Sequence, residues 1–260
     1  YGLYIANGDS AGSVWYMTNQ NQDSSLVEFD GVKAIKHFMS NSQLSDDHIY
    51  DVEIAPDGTK WVSHFYAGIQ KFDGYTWTNY DKGNSGISSN NIFDITFDNN
   101  GVLWTCSNDD TASNFPVSSF DGNIWTSYPL AYFGQNPRAT RCEVDDFNNT
   151  WIVLSTLGVA KFDGTNWYPV GSNALDATVS SLVVYNDTLV AGADDHFFVG
   201  TSSLSKFAHI GGSLWTPTGF PAPTIYDPVT SMLVFNGELF ACISGYSSSA
   251  TSTKIFKCNG

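Results

Sequence analysis

The 260-residue sequence is short of several things at once, and each shortage removes a class of protein. Basic residues come first: 11 Lys and Arg stand against 26 Asp and Glu, a formal charge of −15. Such a surface repels phosphate backbones and anionic lipid heads. Nucleic acid is thereby excluded as a partner, while cations, neutral sugars and basic protein surfaces stay open. No apolar run approaches the roughly 18 residues of a membrane helix, so no membrane insertion is expected. No charged start followed by an apolar signal segment is present, and the chain begins at Tyr1. The sequence therefore reads as a processed or excised piece of a longer chain.

Cysteine is scarce too. Four residues, Cys106, Cys142, Cys242 and Cys258, are too few for a disulfide scaffold at this length, and no zinc-type CxxC spacing occurs. Their first reading is as small core residues, with a pairing such as Cys242–Cys258 left open. Arginine is limited to Arg138 and Arg141, which excludes propeller sites that hold a carboxylate or a sugar with an arginine cluster. The five histidines, His37, His48, His64, His196 and His209, lack ligand spacing. Neither a Gly-x-Ser-x-Gly elbow nor a phosphate-binding glycine loop is present.

What the chain does have is 42% hydrophobic and 15% aromatic residues, ample for a buried core. It also has a repeat. Phe-Asp-Gly recurs at Phe29, Phe72, Phe120 and Phe162, with degenerate copies beginning at Phe207 and Phe256. The phenylalanines stand 43, 48, 42, 45 and 49 residues apart. Each period holds four short strands. The first is a branched apolar run such as Asp51-Val52-Glu53-Ile54 or Asp94-Ile95-Thr96-Phe97. A polar turn leads to a second strand with a large residue in register: Tyr4, Trp61, Trp104, Trp151, Val190 and Phe240. The third strand ends in Phe-Asp-Gly, whose Asp-Gly makes a tight turn, and the fourth carries Trp77, Trp125, Trp167 or Trp215.

Four strands per period of roughly 40–50 residues predict an all-β fold, a β-propeller of about six four-stranded blades. One domain spans 1–260, with blades near 1–38, 48–80, 91–128, 139–170, 178–216 and 229–260. On this register the chain opens on a second strand and stops after a third.

Segments such as Gly158-Val159-Ala160-Lys161-Phe162-Asp163-Gly164-Thr165-Asn166-Trp167, and the run from Asp94 to Trp104, resemble two-component-regulator-type propeller repeats. The resemblance is best over 48–170 and fades over 171–260, where the repeats look generic or kelch-like. It implies a propeller fold and exposure outside the cytoplasm, and it implies no catalytic residues.

Seven of the eight tryptophans fall on repeat positions, so their role is packing. Trp15 alone lies outside, in an apparent insertion from Gly8 to Ser25 that also holds Tyr16 and Met17. Between second and third strands the spacing stretches by 14, 5, 6 and 5 residues in the first, third, fifth and sixth blades. Loops carry function more often than scaffold does. The expected partner or ligand face is therefore Trp15, Tyr16, Asp109, Asp110, Phe115, Tyr132, Asp194, Asp195, His196 and Tyr246. Asn148 and Asn186 open glycosylation sequons. Asp30, Asp73, Asp121 and Asp163 are read as turn formers; Ca²⁺ is conceivable, but no full calcium-loop spacing occurs, so no cofactor is expected. Glu53, Asp94 and Glu143, with His48 nearby, sit on or beside innermost strands and are read as solvated acids rather than an active site. The functional expectation is a non-enzymatic extracellular or cell-surface module for protein interaction or self-assembly. A lectin-like binder of neutral glycans is the alternative.

Overall fold

The structure, a computed structural model, describes residues 2–9, 11–19, 25–108, 115–130, 138–155, 158–170, 178–185, 188–194, 207–211, 214–217, 229–247 and 250–257. These residues hold strands and turns and no helix. The chain divides into two compact units, Tyr1–Cys142 and Glu143–Gly260.

In the first unit lie three antiparallel sheets of four strands, each in sequential order. The first holds β1 to β4 (Gly2–Gly8, Val14–Asn19, Ser25–Phe29, Ala34–His37). The second holds β5 to β8 (Ile49–Ile54, Lys60–His64, Ile69–Phe72, Trp77–Tyr80). The third holds β9 to β12 (Ile92–Phe97, Leu103–Ser107, Val117–Phe120, Trp125–Tyr128). A fourth sheet, β13 to β16 (Ala139–Val144, Thr150–Leu154, Gly158–Phe162, Trp167–Val170), begins on the strand that crosses the division. In the second unit follow β17 to β20 (Thr178–Tyr185, Thr188–Asp194, Phe207–Gly211, Leu214–Pro217) and a three-stranded sheet of β21 to β23 (Val229–Phe235, Glu238–Ser247, Ala250–Lys257). These sheets are the blades of an all-β propeller.

A four-stranded sheet has two apolar faces and must cover both with neighbours. Trp15, Met17 and Leu26 of the first blade therefore share one core with Val52 and Val62 of the second, closed by Leu44 from the connection between them. Trp61 and Ile69 of the second blade share another with Ile95, Leu103 and Phe120 of the third, closed by Ile87. Burial of each large side chain contributes about 2–3 kcal/mol.

The turns follow from the sequence as expected. Asp30 accepts the N–H groups of Val32 and Lys33 at 2.8 and 2.6 Å, and Asp73, Asp121 and Asp163 do the same two and three residues on. Those N–H donors hold all four carboxyls below the ordinary aspartate value. Gly31, Gly74, Gly122 and Gly164 take φ of 91°, 100°, 98° and 94°, where a side chain would be strained.

The first blade is where the sequence reading fails. Tyr4 lies on β1, an initial first strand, and β2 is the second strand, with Trp15 opposite Glu28 as Trp61 is opposite Lys71. Trp15 is therefore not on a loop. It is 1% exposed, stacked with His37 at 5.5 Å, with its indole N–H on Asp9 at 3.2 Å. Trp151 makes the same bond to Asp145 at 2.9 Å. From Trp15 to Phe29 the interval is 14 residues, so the first-blade excess is 3 rather than 14.

Candidate functional site

The innermost strands β5 and β9 each start with a kink. Pairing slips between Ile49 and Asp51 on β5 and between Ile92 and Asp94 on β9, leaving Tyr50 and Phe93 as bulge residues. A bulge re-aims the side chain it carries. Here the two rings turn toward each other, edge to face at 5.4 Å. The β6–β7 turn adds Phe65, 5.3 Å from Tyr50, and Tyr66, 4.4 Å from Phe65. His48 closes the set, its ring 5.7 Å from Tyr66 and edge-on to it. Tyr66 is 66% exposed and Tyr50 42%.

Local chemistry fixes this turn. Gly68 has φ 78°, and a Cβ there would collide with the Tyr80 carbonyl oxygen. Its N–H donates to the Asn90 carbonyl at 2.9 Å, and the Phe65 N–H donates to the His48 carbonyl at 3.0 Å. Asp46 receives the N–H of Tyr66 through Oδ2 at 3.1 Å, while its Oδ1 lies 2.7 Å from His48 Nδ1. Burial alone would raise the Asp46 pKa; the donors from His48 and Tyr66 outweigh it and hold the carboxyl below its ordinary value. Beneath the turn, burial pushes His64 down to about 4, so this imidazole is neutral.

The β4–β5 and β8–β9 connections are built alike. Ser42 Oγ donates to Phe38 O at 2.6 Å and Ser85 Oγ to Asp81 O at 2.8 Å. Asp47 accepts the Met39 N–H and Asn90 the Lys82 N–H, both at 2.8 Å. Gln70 and Ser118, on the third strands, accept the N–H groups of Ser45 and Ser88 at 2.8 and 3.4 Å. These bonds pin the connections against the sheets and hold the ring cluster in place.

One residue beyond each aromatic bulge stands an acid. Asp51 accepts the Ile95 N–H at 3.1 Å, and Asp94 accepts the Cys142 N–H at 2.7 Å. Each carboxyl thus bridges to the first strand of the following blade. Burial raises Asp51 to about 6 against its N–H donors and Arg141. Burial, then the Asp51 charge, raises Asp94 to about 8 against Arg141 and the Cys142 N–H. Asp94 is thus no solvated strand-edge acid; it is a structural acceptor. Both thiols beside it, Cys106 and Cys142, are buried and free, and burial pushes each above the ordinary thiol value. Cys106 Sγ donates to Arg141 O at 3.1 Å.

Of the remaining expected site residues, the described ones lie on separate elements. Tyr16 is half-buried on β2 opposite Val27, and Phe115 stands half-buried just ahead of β11. Asp194 ends β18 opposite Thr178, and Tyr246 lies on β22 opposite Thr251. Asn148 occupies the β13–β14 turn with φ 63°. Asp109, Asp110, Tyr132, Asp195, His196, Asn186 and Cys258 lie outside the described residues. Among the described residues, no three His, Cys, Asp or Glu side chains converge as a metal site.

The ring cluster itself escaped the sequence reading, which weighed loop length and so passed over the short β6–β7 turn. Two signals were present. Phe65 and Tyr66 form an aromatic pair in a turn, and Tyr50-Asp51 recurs as Phe93-Asp94, 43 residues on.

No protein-family model matches the chain, and no curated protein matches it in sequence. Solved structures match its fold. PorZ, a bacterial surface component of the type-IX secretion system of Porphyromonas gingivalis, superposes with TM-score 0.71 at 15% identity over 97% of this chain. The chain spans 39% of PorZ. YCF48 from Cyanidioschyzon merolae gives 0.64 at 13% identity, covering 97% of this chain and 80% of that one; YCF48 has also been solved bound to D1 peptide. A GH74 xyloglucanase from Xanthomonas campestris gives 0.63 at 12% identity, covering 94% of this chain and 43% of that one. One fold thus serves a surface component, a peptide binder and a hydrolase, and the role must be argued from the site.

Proposed function

We propose that this chain is a non-enzymatic extracellular propeller that serves as a protein-interaction or structural module of a surface or filament assembly. The observation that carries the reading is the contiguous ring cluster of His48, Tyr50, Phe65, Tyr66 and Phe93. Elsewhere in the first unit Val32, Tyr75 and Ile124 are exposed one to each of the β3–β4, β7–β8 and β11–β12 turns, at the opposite end of the sheets, and Phe29, Ile35 and Met39 are exposed on β3, on β4 and just after β4. Isolated apolar residues are ordinary surface; a contiguous patch rimmed by polar groups marks an interaction site. The surface role of PorZ and the peptide bound to YCF48 lend support by analogy of fold. A non-enzymatic reading fits the commitment of Asp51 and Asp94 to backbone N–H groups. Tyrosine rings also stack on sugars, so a lectin-like role for neutral glycans is the second reading.

The test immobilises the purified chain and its Tyr50→Ala/Tyr66→Ala variant and exposes both to a secreted and surface protein fraction and to a glycan array. A defined protein held by the parent and lost from the variant supports the proposal. Neutral glycans bound and lost in the same way would replace it with the lectin, and glycan turnover abolished by Asp51→Asn would overturn the non-enzymatic reading.

A further inference from the structure

We propose that the ring cluster docks a cationic peptide segment of the protein partner, with Lys or Arg side chains lying on the Tyr50 and Tyr66 rings. The inference rests on the interaction-module reading and adds the chemistry of the partner. Three observations lead to it.

The first is the shape of the patch. Its rings meet largely edge to face, at 83° for His48 and Tyr66, 72° for Phe65 and Tyr66, and 85° for Tyr50 and Phe93. Such a set presents ring faces in several directions rather than one flat platform. That suits side chains arriving from an extended segment better than a single planar sugar ring.

The second is charge. Residues 1–142 carry 16 Asp and Glu against 7 Lys and Arg, a formal −9. At the rings themselves stands Asp46, bonded to His48 and to the Tyr66 N–H, with Asp47 next to it in the same connection. An anionic segment would be repelled here and a neutral one would gain nothing from the field, whereas a cationic one is steered in and held.

The third is the chemistry of the rings. Ring faces attract Lys and Arg through their quadrupole. The molecule already uses this contact internally, with Lys60 5.3 Å above Trp15 and Lys71 5.4 Å above Trp61.

The experiment measures fluorescence anisotropy of labelled dodecapeptides with the whole chain. One peptide is rich in Arg and Lys; in two counterparts the bases become Gln or Glu. The cationic peptide is expected to bind about tenfold tighter than the Gln peptide and to weaken further between 0.05 and 0.2 M salt. Tyr66→Ala should cost it about fivefold or more, and Asp47→Asn, which keeps the oxygen that accepts the Met39 N–H, a few-fold. Tyr75→Ala, at an exposed turn distant from the cluster, should change nothing, and unchanged thermal unfolding of Tyr66→Ala shows that the variant folds. Equal binding of the Gln peptide, still lost with Tyr66→Ala, would overturn the charge inference and leave the interaction module standing. Binding indifferent to Tyr50→Ala and Tyr66→Ala would overturn the site. Binding of none of the peptides would overturn the inference, and a neutral oligosaccharide bound in their place would overturn both readings.

Discussion

The two units solve one problem with different chemistry. In the first, carboxylates bridge adjacent blades: Asp51 takes the Ile95 N–H and Asp94 the Cys142 N–H. In the second, the residue at the same repeat position is Ser181, whose hydroxyl takes the Met232 N–H at 2.9 Å. A buried N–H left without an acceptor costs about 1–3 kcal/mol, so the position demands an oxygen. It does not demand a charge. The hydroxyl meets the need without titrating, while the carboxylates carry a burden of desolvation, joined at Asp94 by the Asp51 charge, that raises them to about 6 and about 8. Of the two solutions, only the carboxylate one makes the contact between blades sensitive to pH.

The sharpest way to break this comparison is to delete the acceptors. Asp94→Ala and Ser181→Ala should each destabilise by about 2 kcal/mol, because each strands a buried N–H. Asp94→Asn keeps an oxygen in place and should cost far less. Chemical denaturation of the three variants decides the point. A loss from Asp94→Asn as large as that from Asp94→Ala would mean that the charge itself holds the blades together.

Next in size is the pH dependence. An Asp is released at its ordinary value in the unfolded chain, near 3.8, but the folded pair keeps its protons to about 6 and about 8. Through this pair the folded state binds more protons than the unfolded one between roughly pH 4 and pH 8, so the pair's contribution to stability falls as pH rises and levels above pH 8; His64, held down to about 4, works against it up to about pH 6.5. The two carboxyls titrate as a coupled pair, so the decline should be a single broad slope. Carboxyls held low by N–H donors, Asp30, Asp73, Asp121 and Asp163, act in the opposite sense and only below about pH 4. The Asp51→Asn/Asp94→Asn double variant should flatten the slope and exceed the parent in stability at pH 8. Parallel profiles for parent and variant would refute the assignment.

Much of the scaffold was legible because the repeat is written in residues that backbone geometry requires. Phe-Asp-Gly marks a turn with positive φ, and the tryptophans mark faces that only a neighbouring blade can cover. The first blade was misread for an identifiable reason. Asp9-Ser10-Ala11-Gly12-Ser13-Val14-Trp15 parallels Asp98-Asn99-Asn100-Gly101-Val102-Leu103-Trp104, with Asp9 and Asp98 accepting the same turn N–H groups, yet Tyr4 was taken as the in-register aromatic. The site was far less legible. Tyr50 and Phe93 look like ordinary strand residues until a bulge turns them, and a bulge is a slip of pairing that single-strand patterning does not register. Long loops drew attention, whereas the cluster sits on a short turn stabilised by Gly68.

The smallest effect expected concerns Arg141, which faces both acids from the strand beyond Asp94. Its guanidinium lowers Asp51 and Asp94 against the burial that raises them, while its Nη1 donates to Thr140 O at 2.6 Å. Arg141→Gln removes that charge and keeps a donor of similar reach. Both carboxyls should then hold their protons to higher pH, and the declining part of the stability profile should extend upward by a fraction of a pH unit. Stability at pH 5 should change by less than about 1 kcal/mol, because the folded pair is then largely protonated with or without the guanidinium. The readout is the pH at which the slope ends, compared between Arg141→Gln and the same change made in the Asp51→Asn/Asp94→Asn background. A shift that persists in that background would assign the slope to other groups and dissolve the contrast between carboxylate and hydroxyl bridges; a shift that vanishes ties the arginine to the acid pair.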